Sequence, residues 1–430
     1  MKHTVTEIKL KHGTKGILVD IPDASVMAFD FNFRAGEYLA SERTKIEVPH
    51  VMEHLSLGAN KRIRSSRAFH YEFDRNGAYC NASTGSYHVE YNAECADFEW
   101  ARILDLLTLS ISEPIFKRDE FEAELGNIRE ELTMLSNNHF RHLSLAMRKA
   151  NGYVANMTEQ ERLKYIKNVT LEDIREHYKK THHKPNLRFA IGGNIKERQK
   201  DILSVIEAMP LNQKGERFAL PDEAPTGVDR ALYIENPTIE NMYFIFETYH
   251  HGALSEKEWD AISLLNNILI DTFHSRILAE AREKGIVYNM GGSFQQTSNS
   301  VSWYGASQVR AENAMALFEI VIREYKRVLD GKVDDQDLED AKSYSLGRYQ
   351  RGGAQTVGGT MNFYTSRYFL EDIIDDFYAV PARIAAVKKS TVIDTARKLF
   401  ADKRWCLGIL GQCPQDLQDA LHEKLSVLWV

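Results

Sequence analysis

The chain has 430 residues, 43% of them hydrophobic and 27% charged, and a formal net charge of −7. That is the composition of an ordinary globular protein, too long for a single core, so two or three domains are expected. The acidic balance leaves no footprint for nucleic acid, and no apolar run reaches the roughly 18 residues that argue for a membrane span.

Cys80, Cys95, Cys406 and Cys413 form no CxxC pair and read as buried thiols in a reducing, cytoplasmic compartment. The opening MKHTVTEIKLKHG lacks the apolar stretch of a secretory signal.

Residues 4–38 read as strands around the turn His12-Gly13-Thr14, ending in the run Val26 to Phe33. A polar loop, Ser41 to Lys45, leads to Pro49-His50-Val51-Met52-Glu53-His54-Leu55. On a helix, residues three and four apart share a face, so His50, Glu53 and His54 point one way while Val51, Met52 and Leu55 can face a core. Pro49 suits the first turn, where its missing N–H costs nothing. Two imidazoles one turn apart can grip one small ion, and the carboxylate between them can reach a water on it. This H-x-x-E-H order is the inverted form of the commoner zinc-peptidase signature.

Ser65-Ser66 caps a short helix, Arg67 to Arg75, and a strand signal spans Ala82 to Asn92 with Tyr87, Val89 and Tyr91 on one face. Residues 98–112 form an amphipathic helix whose apolar set includes Phe98, Ile103, Leu104 and Leu107, and residues 118–136 form another. On the second, Glu122, Glu124, Glu130 and Glu131 read mostly as solvated charge. Glu124 and Glu131, seven apart, share a face, the position a third metal ligand from a second helix would need.

The stretch 137–180 is helical and divided at Asn151-Gly152 and Asn168-Val169-Thr170; Thr170 and Asp173 cap its last piece. Leu187 to Gly193 is a strand, 196–208 a helix, and Pro210 to Gly227 the best linker. His139 with His142, His182-His183 and His250-His251 lack a third ligand at metal spacing and read as surface or core histidines.

The second half repeats the first in outline, with strand signals at 231–248 and helices at 255–283, 312–330, 334–350 and 391–400. Thr170…Asp173…Leu187…Ile191-Gly192 is echoed by Thr391…Asp394…Leu407…Ile409…Gly411. Shifted by the 221 residues from Thr170 to Thr391, the metal motif lands on Asp271, His274 and Ser275. Aligning Phe121 with Leu338 sets Glu124 against Ala341 and Glu131 against Arg348, and an Arg repels a cation. Only the first unit carries the ligand set.

With these segments in view, the chain resembles the pitrilysin/insulinase family of zinc metallopeptidases over most of its length. His50-x-x-Glu53-His54 looks like the family's inverted motif; 76 residues then separate His54 from Glu131, the family's spacing to its ligand Glu. Glu124 looks like the accessory acidic residue; Glu130 is the neighbouring candidate, but the residue seven before it is Ala123. Asn81-Ala82-Ser83-Thr84 looks like the family's Asn-Ala-x-Thr segment. Ser275-Arg276-Ile277-Leu278 with Ala281-Arg282-Glu283-Lys284-Gly285-Ile286-Val287-Tyr288 looks like its Ser-Arg-Leu…Arg-Glu-Lys-x-Gly-Leu-x-Tyr segment, with Arg282 and Tyr288 six apart instead of seven.

The resemblance implies an α+β fold of two tandem homologous α/β-roll domains, each an antiparallel-rich sheet packed on helices, in the manner of LuxS-type metallohydrolases and of one processing-peptidase half. Residues 1–209 would be the catalytic domain, 210–228 the linker, and 229–430 a non-catalytic domain carrying the Arg/Tyr segment. It implies one Zn2+ per chain on His50, His54 and Glu131, with Glu53 as general base and Glu124 as an accessory catalytic group. Tyr288 would stabilise the oxyanion and Arg282 would bind substrate. Peptides or unfolded polypeptides would be cleaved after binding as an added strand. The family closes its chamber with two such halves, so this chain is expected to form a homodimer, or a heterodimer with a related chain, in which Arg282 and Tyr288 act in trans. Two other expectations stand beside this: a catalytically silent subunit of the same fold, and a metal hydrolase of non-peptide substrates.

Overall fold

The computed structural model describes residues 1–154, 156–297, 299–353 and 355–429. The chain divides into two compact units. The first holds Met1–Met134, Glu159–Leu220 and Arg351–Asp375; the second holds Leu135–Thr158, Pro221–Gln350 and Asp376–Val430. Sequence puts the division in a linker at 210–228 and nowhere else. In the structure the chain also changes units around residues 134, 158, 350 and 375.

The first unit is built on strands β1 (Thr4–Lys9), β2 (Lys15–Asp20), β3 (Val26–Phe33), β4 (Tyr79–Thr84), β5 (Val89–Ala96) and β6 (Leu187–Gly193). They form one sheet in the order β1-β2-β6-β3-β5-β4. Only the β2–β6 pairing is parallel. Its helices are α1 (Val48–Ser56), α2 (Ser66–Asp74), α3 (Trp100–Ser112), α4 (Arg118–Ser136, most of which lies in this unit), α6 (Glu159–Tyr165), α7 (Leu171–Thr181), α8 (Gln199–Ala208) and α13 (Val357–Glu371).

The second unit holds α5 (His139–Ala150), β7 (Leu232–Glu235), β8 (Met242–His251), β9 (Met290–Gln296), β10 (Ser300–Val309) and β11 (Arg404–Gly411). Its sheet order, β7-β11-β8-β10-β9, repeats β2-β6-β3-β5-β4 of the first unit, again with the first pairing parallel and the others antiparallel. Helices α9 (Glu256–Asn266), α10 (Arg276–Glu283), α11 (Ala311–Leu329), α12 (Asp335–Arg348), α14 (Val380–Ala386), α15 (Lys389–Ala401) and α16 (Gln415–Ser426) complete it. The duplication and the α+β class expected from sequence are both present.

Each sheet buries one face against helices. Phe29, Phe31, Phe33, Val89, Tyr91, Phe189 and Ile191 meet Val51, Met52, Leu55, Ile103 and Leu107 in the first core. Phe244, Phe246, Trp303, Leu407 and Ile409 meet Ile262, Leu265, Phe318 and Leu399 in the second. On the opposite face a helix from a distant stretch lies on each sheet, and a glycine permits its approach. A Cβ at Gly192 of β6 would sit 2.5 Å from Met361 Sδ of α13, and one at Gly408 of β11 would sit 2.5 Å from Met147 Sδ of α5. Both separations are far inside van der Waals contact, so a side chain at either glycine would force the methionine packed on it to move.

Several local expectations are corrected. The single strand read over 82–92 is a hairpin, β4 and β5, turning at Gly85-Ser86, with Tyr87 in the turn. Phe98 lies in a 3₁₀ turn before α3 and is exposed, not on the buried stripe. The helix read over 255–283 is α9, then a π-helical turn Asn267–Asp271, then α10. Thr391 and Asp394 fall inside α15, whose N-cap is Lys388, whereas Thr170 and Asp173 form a reciprocal capping box on α7. Cys95, Cys406 and Cys413 are buried, Cys80 is half-buried, and all four are free thiols. Among the described residues no helix is long and apolar enough to cross a membrane.

Candidate active site

The site is built on α1. Val51, Met52 and Leu55 fix one side of the helix in the core, and Pro49 occupies its first turn. This leaves His50 and His54 edge to face one turn apart, ring centroids 4.9 Å apart at 77°. One ligand atom from each of His50, Glu53 and His54 falls within 4.8 Å of the others.

Helix α4 brings the fourth group. Glu131 Oε2 is 3.4 Å from His50 Nε2 and 3.5 Å from His54 Nε2. Glu130 is exposed, on another side of the helix. Two turns earlier, Glu124 Oε2 lies 3.0 Å from His54 Nδ1, and Glu47, just before α1, lies 3.0 Å from His50 Nδ1. Each ring thus has its Nδ1 held by a carboxylate and its Nε2 turned toward Glu131.

Whether this set fits a metal can be tested on the spacing. Ligand bonds of about 2.0–2.1 Å at a tetrahedral angle put two donor atoms about 3.3 Å apart. The two Nε2–Oε2 separations match that figure. The charge also fits: Glu47, Glu53, Glu124 and Glu131 surround two imidazoles, and among the described residues only Glu47 has a further ion pair, with Arg162 Nη1 at 2.7 Å. The site carries surplus negative charge facing two nitrogen donors, a cation's environment.

Electrostatics agree. Burial would lower both histidines, but the carboxylates outweigh it: Glu131 and Glu47 raise His50 to about 10, and Glu124 and Glu131 raise His54 to about 9. Hydrogen bonds from the rings pull Glu131 well below the usual carboxylate range and lower Glu124 as well. Glu53 behaves differently. It is buried, and desolvation raises it against the pull of His54 and His50. Thr84 Oγ1 of β4 donates to Glu53 Oε2 at 3.2 Å. A buried carboxyl raised by desolvation, beside a cation-competent cluster, suits proton transfer.

Sequence reasoning missed Glu47, Arg162 and the contact that Thr84 makes. Glu47 was findable, since it stands three before His50. Arg162 was not: it comes from α6, and its guanidinium bridges Glu47 and Glu37. That pair orients the carboxylate that orients His50.

Arg282 and Tyr288 lie in the second unit. Lys284 and Gly285 close α10, Gly285 in the left-handed region at φ 66°, and the shortened link still brings the two together. The guanidinium sits 5.2 Å from the Tyr288 ring centroid and 5.0 Å from that of Phe273, and donates to the Tyr288 carbonyl. Tyr288 is 82% exposed. The histidines read as bland are so placed: His182 stacks on Phe33 and Tyr178 and meets the Tyr91 hydroxyl, and His250 pairs with Asp402.

Comparison with known proteins gives two family matches. Residues 42–164 match the model described as insulinase (peptidase family M16), and residues 168–344 match that described as the peptidase M16 inactive domain. Among solved structures, the chain is similar to a protease from Helicobacter pylori at a TM-score of 0.83 and 17% identity, covering 95% of this chain and 100% of that one. It is also similar to a peptidase M16 inactive domain from Pseudomonas fluorescens at a TM-score of 0.80 and 17% identity, covering 96% and 98%.

Proposed function

The chain belongs to the insulinase family of peptidases, M16, and from that premise we propose that it is a zinc metalloendopeptidase acting on peptides or unfolded polypeptides. The observation that supports this reading is the convergence of His50 Nε2 and His54 Nε2 on Glu131 Oε2 at zinc-ligand spacing. The match to an inactive-domain model covers the part of the chain that lacks the ligand set and does not weigh against the first unit.

His50, His54 and Glu131 would hold the ion. Bound there, zinc lowers the pKa of a water and polarises a carbonyl. Glu53 takes a proton from the attacking water and delivers it to the leaving amine nitrogen. Thr84 holds Glu53 in place through its hydroxyl. Glu47 and Glu124 fix the ring tautomers so that each Nε2 presents a lone pair. β4 is the end strand of its sheet, so an extended substrate can add along it beside Glu53.

The exposed Arg282–Tyr288 pair supplies a guanidinium for substrate carbonyls and a phenol for the oxyanion. In this reading it serves a second copy, and the active species is a homodimer, or a heterodimer with a related chain. Zinc analysis combined with cleavage of a mixed unfolded-peptide library tests the proposal. About one zinc per chain with chelator-sensitive cleavage is expected. Zinc without cleavage would point to a non-peptide hydrolase, and neither to a silent subunit. Sedimentation that finds a fully active monomer would remove the in-trans role.

A further inference from the structure

The second unit carries a cavity of about 550 Å³, in the range of ligand pockets. Its origin lies in how α5 covers the sheet. Leu143 and Met147 of α5 pack with Ile245, Tyr249, Cys406 and Leu410, which closes the β11–β8 half of that face. The β10–β9 half stays open, and the cavity forms there against the side of α5.

Two carboxylates line it. Glu247 on β8 is the cross-strand partner of Tyr304 on β10, and its Oε2 accepts from the Tyr249 hydroxyl at 3.0 Å. Asp271 closes the π-helical turn. Neither carboxylate is in an ion pair among the described residues. Burial raises both, and after burial it is these two groups that suppress ionisation of Tyr304, so all three converge on one region. Arg141 and Arg148 also line the cavity, but the Arg148 guanidinium is stacked 4.2 Å from the Tyr153 ring centroid. Glu247 is fully desolvated and Asp271 partly so; Arg148 and Arg348 act on them only from beyond ion-pair distance, and burial outweighs both. Two such carboxylates beside an aromatic face are complementary to an organic cation.

We propose that this cavity is a recognition site for a guanidinium or ammonium side chain of a polypeptide, held between Glu247 and Asp271 and against Tyr304. The inference deepens the peptidase reading and rests on it for the source of that side chain. It gives the second unit a role in selecting substrates with a basic residue, separate from the zinc cluster.

The test requires no cleavage. Full-length protein treated with chelator is titrated with Nα-acetyl-argininamide and Nα-acetyl-lysinamide, followed by NMR shifts. Saturable binding is expected, weakened about tenfold or more by Glu247→Gln and by Asp271→Asn. A Cβ at Gly291 meets nothing within 4 Å, so Gly291→Leu enters open space in the cavity wall and should block binding without touching a charge. Absence of saturable binding overturns the proposal, as does unchanged affinity in both carboxylate variants. Equal or tighter binding of the acetylated amides of norleucine or glutamic acid overturns it too, in favour of an apolar pocket or of recognition by the arginines. Binding as expected in a protein that cleaves no peptide would leave the cavity standing while the peptidase reading falls.

Discussion

The Nδ1 atom of His54 lies 3.0 Å from Oε2 of Glu124, a residue seventy positions away on a different helix. That contact fixes which nitrogen of the ring faces Glu131. Replacement by Gln keeps the shape but loses the charge, so Glu124→Gln should weaken zinc binding about 10- to 100-fold while leaving the fold intact. Competition with a chromophoric chelator measures it; unchanged zinc affinity would show that Glu124 does not tune the ligand.

Glu131 and its neighbour make a direct comparison. Glu131→Ala should lose most of the bound zinc, because the helix offers no other oxygen to both Nε2 atoms. Glu130→Ala should keep it, since Glu130 is exposed. Full zinc occupancy in Glu131→Ala would remove it from the ligand set.

Glu53→Gln separates binding from proton transfer. Zinc content should stay at the wild-type level, and peptide cleavage should fall by about 10²- to 10⁴-fold. A variant that cleaves near the wild-type rate would exclude Glu53 as the base.

Arg162 supports the site from behind. Its side chain is 7% exposed and joins Glu37 to Glu47. Arg162→Met strips the guanidinium from Glu37 and from Glu47, leaving Glu47 only the His50 ring, and should cost about 3–5 kcal/mol in urea unfolding. Arg43→Ala, which breaks a more exposed pair with Glu161, should cost under about 1 kcal/mol. Equal losses would mean that the buried pair carries no special weight.

Stability should fall on the acid side through His177. Burial, partly offset by its hydrogen bond to the Ala35 carbonyl, lowers this ring from 6.5 to about 4. A depressed histidine means that the unfolded chain binds the proton first. Its contribution is therefore complete above pH 6.5, declines as pH falls toward 4, and levels off below that. The loss amounts to about 3 kcal/mol. Urea midpoints measured across this window should show it, and His177→Gln should flatten the curve; an unchanged slope in that variant would assign the acid sensitivity elsewhere.

How much of this could be read beforehand depended on range along the chain. The α1 face and the Glu124/Glu131 face are set by helical spacing, which a sequence displays directly. The missed hairpin at Gly85-Ser86 and the missed pair β9–β10 have polar residues on their open faces, so their alternation is weak. Helix α13, VGGTMNFYTSRYFLE, shows its apolar stripe poorly in sequence because its buried side includes Thr360 and Thr365 while Phe363 and Leu370 lie off it.

Sequence by itself determined the local geometry: two histidines and a carboxylate on one turn, a carboxylate pair on another helix, and two similar units of which one lacks these groups. Tertiary structure alone decided that the helices meet with Glu131 between the rings, that Arg162 is the counter-ion behind Glu47, and that α5 and α13 lie on sheets built from far-off segments. The reason is that periodicity fixes neighbours within one element, whereas contacts between elements follow from which faces pack together, and that is settled by the whole core.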